Sequence, residues 1–166
     1  MRYFFDTEFS DTGKVIDLIS IGIVDEEGRE FYAISEEFDR SLVNAWVQAN
    51  VIPKLEPPGP LWKPRATIRD EIVSFVADAE PEFWAYNAAY DWVALCQLFG
   101  PLTAIPANWP RFVRDLREWV ARLDVTPLEE TEDPHHALAD ARYNRRMFDY
   151  LASYEPGADS TRNVPR

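Results

Sequence analysis

The stretch Phe4-Phe5-Asp6-Thr7-Glu8-Phe9 reads as the end of a buried strand carrying two carboxylates two residues apart. Alternate residues of a strand point to the same face, so Asp6 and Glu8 project together. Carboxylates held that close repel each other and resist ionisation unless positive charge sits between them. A hard divalent cation, which takes oxygen ligands and neutralises the pair, is the simplest answer.

Working outward, residues 2–8 form a first strand and 15–24 a second, with Asp11-Thr12-Gly13 as the turn. Glu26-Glu27-Gly28 turns the chain into a third strand at 29–35, completing an antiparallel meander. Residues 42–51 read as a helix with Trp46, Val47 and Val51 on one face. Residues 53–64 contain Pro53, Pro57, Pro58, Pro60 and Pro64, which argues against regular structure, with Leu61 and Trp62 packing onto the body. A helix at 67–79 presents Ile68, Ile72, Phe75 and Val76. A fourth strand at 82–86 leads to a helix at 89–99 that Gly100-Pro101 stops. A short fifth strand at 111–113 runs into a helix lasting to Leu123, and a long helix at 136–154 follows. This order predicts an α/β fold, a mixed sheet of about five strands with helices on both faces. The expected organisation is a single domain over 1–154 and a loose tail over 155–166.

The bulk properties narrow the function. A chain of 166 residues that is 46% hydrophobic fits one globular domain. No apolar run approaches the roughly 20 residues needed to span a bilayer, and the N-terminus has no signal-peptide layout. The lone cysteine, Cys96, sits in an apolar stretch and reads as a core residue; with no intrachain disulfide to form, a cytoplasmic setting is expected. A formal charge of −12 argues against gripping long nucleic acid through a broad basic face. It is compatible with an enzyme handling a few nucleotides at a pocket where metal ions bring the positive charge.

Two further contexts bear on chemistry. In Tyr86-Asn87-Ala88-Ala89-Tyr90-Asp91 a strand ends and a helix begins, the place where α/β proteins gather ligands. Asp91 there is also an ordinary first-turn residue that complements the helix dipole. Asn87 is suited to orienting a phosphate or Asp91, or simply to ending the strand. In Asp133-Pro134-His135-His136-Ala137-Leu138-Ala139-Asp140, five residues of helix turn through about 140°. His135 and Asp140 therefore converge only if His135 lies on the loop before the helix, as Pro134 allows. His136, four residues from Asp140, is the competitor. Taken together, Asp6, Glu8, Asp91, Asp140 and a histidine make a two-metal hydrolase set. One ion activates water and the other stabilises the leaving oxygen of a phosphodiester, with histidine as proton acceptor.

These motifs resemble those of the DEDD superfamily of 3′–5′ exonucleases, histidine subclass. Asp6-Thr7-Glu8 resembles the first motif, Asn87 to Asp91 the second, and His135-x₄-Asp140 the third. More narrowly, Asp-Thr-Glu-Phe, the Leu-Ile-Ser-Ile-Gly strand and Trp46-Val47-x-x-Asn50-Val51 resemble the small actinobacterial polyadenylate-specific 3′-exoribonuclease AS group. The resemblance implies a ribonuclease H-like fold, two Mg²⁺ or Mn²⁺ ions, a homodimer, and RNA or short oligonucleotides as substrate. Asp6 would bridge both ions, Glu8 and Asp140 would hold the ion binding the attacking water, and Asp91 would serve the second. It selects His135 over His136 as base. It also places Phe9 against the terminal base or sugar, where core packing is the competing account.

The six tryptophans read mainly as core, with one or two available to stack bases. The acidic run Glu129-Glu130 with Glu132 and Asp133 reads as a solvated loop or a flap over the site. Two other readings remain open: a DNA-directed exonuclease of proofreading or repair type, and a non-catalytic module with a structural cation. Only the 2′-hydroxyl separates RNA from DNA, and no residue is evident in the sequence that would contact it.

Overall fold

The computed structural model describes residues 1–129 and 133–154. Three long antiparallel strands, β1 (Arg2–Asp11), β2 (Ile16–Asp25) and β3 (Glu30–Ser35), form the meander expected from the sequence. Gly13 and Gly28 turn between them with φ of +76° and +91°, a backbone region that L side chains rarely adopt. The sheet has six strands in the order β4-β3-β2-β1-β5-β6. β5 (Glu82–Ala85) pairs parallel to β1, and β6 (Arg114–Asp115) pairs parallel to β5.

The extra strand, β4 (Trp62–Lys63), lies inside the proline-rich stretch read as irregular. It is compatible with those prolines because β3 draws on its carbonyls: Ile34 N–H donates to Leu61 O at 2.8 Å and Glu36 N–H to Lys63 O at 3.0 Å. A proline lacks an N–H but keeps its carbonyl, so proline-flanked chain can serve at a sheet edge. The strand expected at 111–113 instead forms at Arg114–Asp115.

Helices cover both faces. Ile68 and Ile72 of α2 (Arg65–Phe75) and Ala94 and Leu95 of α3 (Ala89–Gln97) pack on the face carrying Tyr3, Phe5, Ile21 and Ile23. On the other face, Trp119 of α4 (Leu116–Leu123) and Met147 and Leu151 of α5 (Ala137–Ala152) form a second cluster. Phe4 reaches it, its ring 5.2 Å from that of Phe148. The helix expected over 42–51 is shorter, α1 (Ala45–Asn50), because the Asn44 side chain caps it by accepting from Val47 N–H at 2.9 Å. Val47 and Val51 are buried, but Trp46 is 53% exposed and does not share their face. The tail over 155–166 lies outside the described residues.

Gly22 fixes how closely α5 approaches the sheet. It pairs with Asp6 across β1 and β2. A Cβ built there would lie 2.4 Å from the Ala137 carbonyl oxygen and 2.5 Å from Leu138 Cα. The start of α5 therefore lies directly on the backbone beside Asp6. Buried Asn144 pins the helix further along, donating to the Phe5 carbonyl at 2.8 Å.

Candidate active site

The strand alternation of β1 sends Asp6 and Glu8 toward the start of α5, which brings Asp140 in its first turn. Ligand atoms of Glu8, His135 and Asp140 all lie within 4.8 Å of one another. Asp6, His135 and Asp140 line one cavity. Asp91 approaches from the first turn of α3 and is 7% exposed. It is thus both a first-turn residue and a member of the cluster. Its Oδ1 accepts from Thr7 N–H at 2.9 Å and from Thr7 Oγ1 at 2.7 Å.

The crowding has an electrostatic signature. Burial, and then the charges of Asp91, Glu8 and Asp140, hold the Asp6 carboxyl well above the usual carboxylate range. Burial with Asp140 and Asp91 nearby pushes Glu8 up to about 8, and the Lys54 ammonium draws it partly back. Asp91 is raised to about 6, mainly by burial, against the lowering effect of its Thr7 hydrogen bonds. Carboxylates gathered this way need positive charge to ionise together. Their oxygen-rich donor set fits a hard divalent cation of the Mg²⁺ or Mn²⁺ kind.

The two neighbouring histidines have different surroundings. His135 has φ of +65° on the turn before α5, and its N–H donates to Asp140 Oδ2 at 2.8 Å. That turn lets His135 and Asp140 converge, as the loop placement requires. His136 caps α5, its Nδ1 accepting from Ala139 N–H at 3.4 Å. Its Nε2 lies 3.2 Å from Glu56 Oε1, and its ring stacks on Tyr32 with centroids 4.8 Å apart. His136 is therefore engaged in structure, and His135 faces the acids.

Several residues around the site were not singled out in the sequence. Lys54 hydrogen-bonds the Pro134 carbonyl and pairs with Asp133 Oδ1 at 2.9 Å. With Glu56, it ties the proline-rich segment to the histidine turn. Asp115 accepts from the N–H groups of Asn87, Ala88 and Arg117 at 3.2, 3.0 and 2.8 Å, joining the β5–α3 turn to the start of α4. Asn87 takes φ of +58° in that turn and lines the cavity. Phe9 lies outside the core clusters and stacks on half-exposed Tyr90, centroids 5.9 Å apart and planes 10° from parallel. Of the tryptophans, Trp109 and Trp119 are buried, and exposed Trp46 sets its ring edge-on against His135 at 4.8 Å. Cys96 packs against the core, and burial pushes its thiol up to about 11. Of the acidic run, Glu129 lines the cavity and Asp133 pairs with Lys54, while Glu130 and Glu132 lie outside the described residues.

Residues 1–152 match the family model described as the 3′–5′ exoribonuclease Rv2179c-like domain. The chain belongs to the Rv2179c-like 3′–5′ exoribonuclease family. It is 48% identical over 158 residues to the 3′–5′ exoribonuclease Rv2179c of Mycobacterium tuberculosis, covering 92% of this chain and 94% of that protein. Rv2179c-like membership agrees with the narrower of the two resemblances read from the sequence. The fold is also that of E. coli exonuclease I. The zinc-bound form of its complex with single-stranded DNA superposes with a TM-score of 0.65 at 14% identity, covering 94% of this chain. The complex with a dT13 oligonucleotide gives the same TM-score and identity over 93% of this chain. This chain spans only 41% of exonuclease I in either comparison, and at that identity the likeness establishes the ribonuclease H-like fold alone. Among the described residues no helix is long and apolar enough to cross a membrane.

Proposed function

We propose that this member of an exoribonuclease family removes nucleoside 5′-monophosphates one at a time from the 3′ end of RNA or short oligoribonucleotides, by a two-metal-ion mechanism. The observation that carries the reading is the convergence of Glu8, His135 and Asp140 within 4.8 Å, beside Asp6 and Asp91. Asp6, Glu8, Asp91 and Asp140 would hold two divalent cations, Mg²⁺ or Mn²⁺. When bound, the cations supply Lewis acidity that activates water and stabilises charge on the phosphodiester.

The protein's own groups do the rest. His135 takes the proton from the attacking water, since a neutral imidazole is the natural acceptor near pH 7. The Asp140 carboxylate orients it by accepting from its backbone N–H. Thr7 holds one oxygen of Asp91, leaving the other for a ligand. Phe9, stacked on Tyr90, offers a flat apolar surface to the terminal base, and Asn87 contacts the substrate from the β5–α3 turn. The catalytic unit spans 1–154, and a cytoplasmic homodimer is its expected setting.

Asp6→Ala tests the proposal: it should abolish Mn²⁺-dependent release of mononucleotides from a 3′-labelled RNA while the protein still folds. Near-normal turnover in that variant would refute the assignment. Matched RNA and DNA oligonucleotides separate an exoribonuclease from a DNA-directed enzyme of the same fold.

A further inference from the structure

The cavity that holds Asp6, His135 and Asp140 continues beyond them. Its volume is about 790 Å³, and its wall includes Arg117, Tyr86 and Val120. In a chain of formal charge −12, Arg117 makes no ion pair among the described residues. Its guanidinium lies over the Tyr86 ring, 5.9 Å from the centroid, and its backbone N–H is taken by Asp115. It stands in the first turn of α4, where the helix dipole disfavours a cation. Neither capping, nor a salt bridge, nor the helix accounts for it.

The cation that lowers Glu8 is Lys54, and Arg117 makes no ion pair with Asp6, Glu8 or Asp91 among the described residues. It shares a cavity with Asp6, His135 and Asp140. Asp124 and Glu129 also line the cavity, so it is no general trough for polyanions. It offers a single guanidinium, whose planar fork suits one phosphate.

The substrate's covalent structure says which phosphate. The 3′-terminal nucleoside carries only the scissile phosphate, which belongs at the metals. Any further phosphate lies up-strand of the cut. We propose that Arg117, supported by Tyr86, binds the phosphodiester one step 5′ of the scissile bond and so seats the penultimate nucleotide in this cavity. This subsite rests on the exoribonuclease reading and deepens it by assigning where the strand leaves the metal centre.

The test uses short RNAs in which one phosphodiester is replaced by an uncharged methylphosphonate. Placed one step 5′ of the scissile bond, it should lower wild-type kcat/KM about tenfold, the scale of one charge-assisted contact. Arg117→Gln should be nearly indifferent to the same replacement, and Arg117→Lys should keep part of the sensitivity because it keeps the charge. Moving the methylphosphonate two steps further from the cut should remove the difference between wild type and variant. Wild-type indifference to the first replacement, or equal sensitivity in Arg117→Gln, overturns the subsite while leaving the exonuclease reading intact. Failure of the wild type to shorten any RNA removes both.

Discussion

Thr7 and Asp91 stand 84 positions apart in the chain, yet both the backbone N–H and the hydroxyl of Thr7 donate to one oxygen of the Asp91 carboxylate, at 2.9 and 2.7 Å. The residue between the two acids of β1 thereby fixes the third acid, from the opposite face of the sheet. Thr7→Val keeps the branched shape and removes the hydroxyl donor. Hydrogen bonds to charged groups are worth about 1.5–3 kcal/mol, so the Asp91 carboxyl should rise further and Mn²⁺ should bind roughly tenfold or more weakly. Calorimetric titration with Mn²⁺ checks this; unchanged affinity would mean that Asp91 holds no ion.

The paired histidines should separate cleanly. His135→Ala should lower kcat by about 10²–10⁴-fold, the usual scale for a general base, with little change in melting temperature. His136→Ala should instead cost about 1 kcal/mol or more in stability, because it removes a helix cap and the Glu56 and Tyr32 contacts. Single-turnover rates and urea denaturation of both variants measure the two effects. Equal loss of rate would contradict the assignment of His135.

The raised carboxyl groups make a signed prediction about pH. Without metal, Asp6, Glu8 (about 8) and Asp91 (about 6) bind protons more tightly folded than unfolded. Their contribution to stability is fully present below the unfolded carboxylate value near 4 and is lost as pH rises through about 6 and then 8. In EDTA the melting temperature should therefore fall between about pH 5 and pH 9. Saturating Mn²⁺ should flatten or reverse that slope, since cations bind the deprotonated groups. A melting temperature in EDTA that rises over this range would contradict the crowding.

Gly22→Ala adds a single methyl group where Ala137 and Leu138 leave no room. Overpacking a close contact costs about 1–3 kcal/mol, and more where backbone opposes backbone. The start of α5 should shift away from β2, carrying Asp140 and His135 with it. The variant should lose stability in urea and also lose Mn²⁺ affinity. Loss of stability alone would mean that the helix start is not what places Asp140.

The meander is legible because β1 to β3 are rich in aromatic and β-branched residues and separated by turns containing Gly13 and Gly28. Two-residue strands such as β4 and β6 carry no periodicity, so the sequence shows no strand at 62–63 and points to 111–113 where β6 forms at 114–115. Spacing groups Trp46 with Val47 and Val51, but a six-residue helix with a free face turns it outward toward His135. The five candidate site residues could be found because each sits in a short local motif. Their supports could not: Lys54 and Glu56 meet Pro134 and His136 across 80 positions, and Asp115 reaches Asn87 across 28. An unremarkable lysine or aspartate acquires such a role only through folding. Gly22 leaves a faint signal, a glycine inside a strand, which often marks close backbone approach.

The tie from Lys54 and Glu56 to the histidine turn gives His135 a second anchorage beside the Asp140 carboxylate. The acids of β1 and α3 rest on the sheet, whereas His135 depends on a proline-rich strap at its edge. Loosening that strap would free the His135 turn and, through the His136 cap, the start of the helix that carries Asp140.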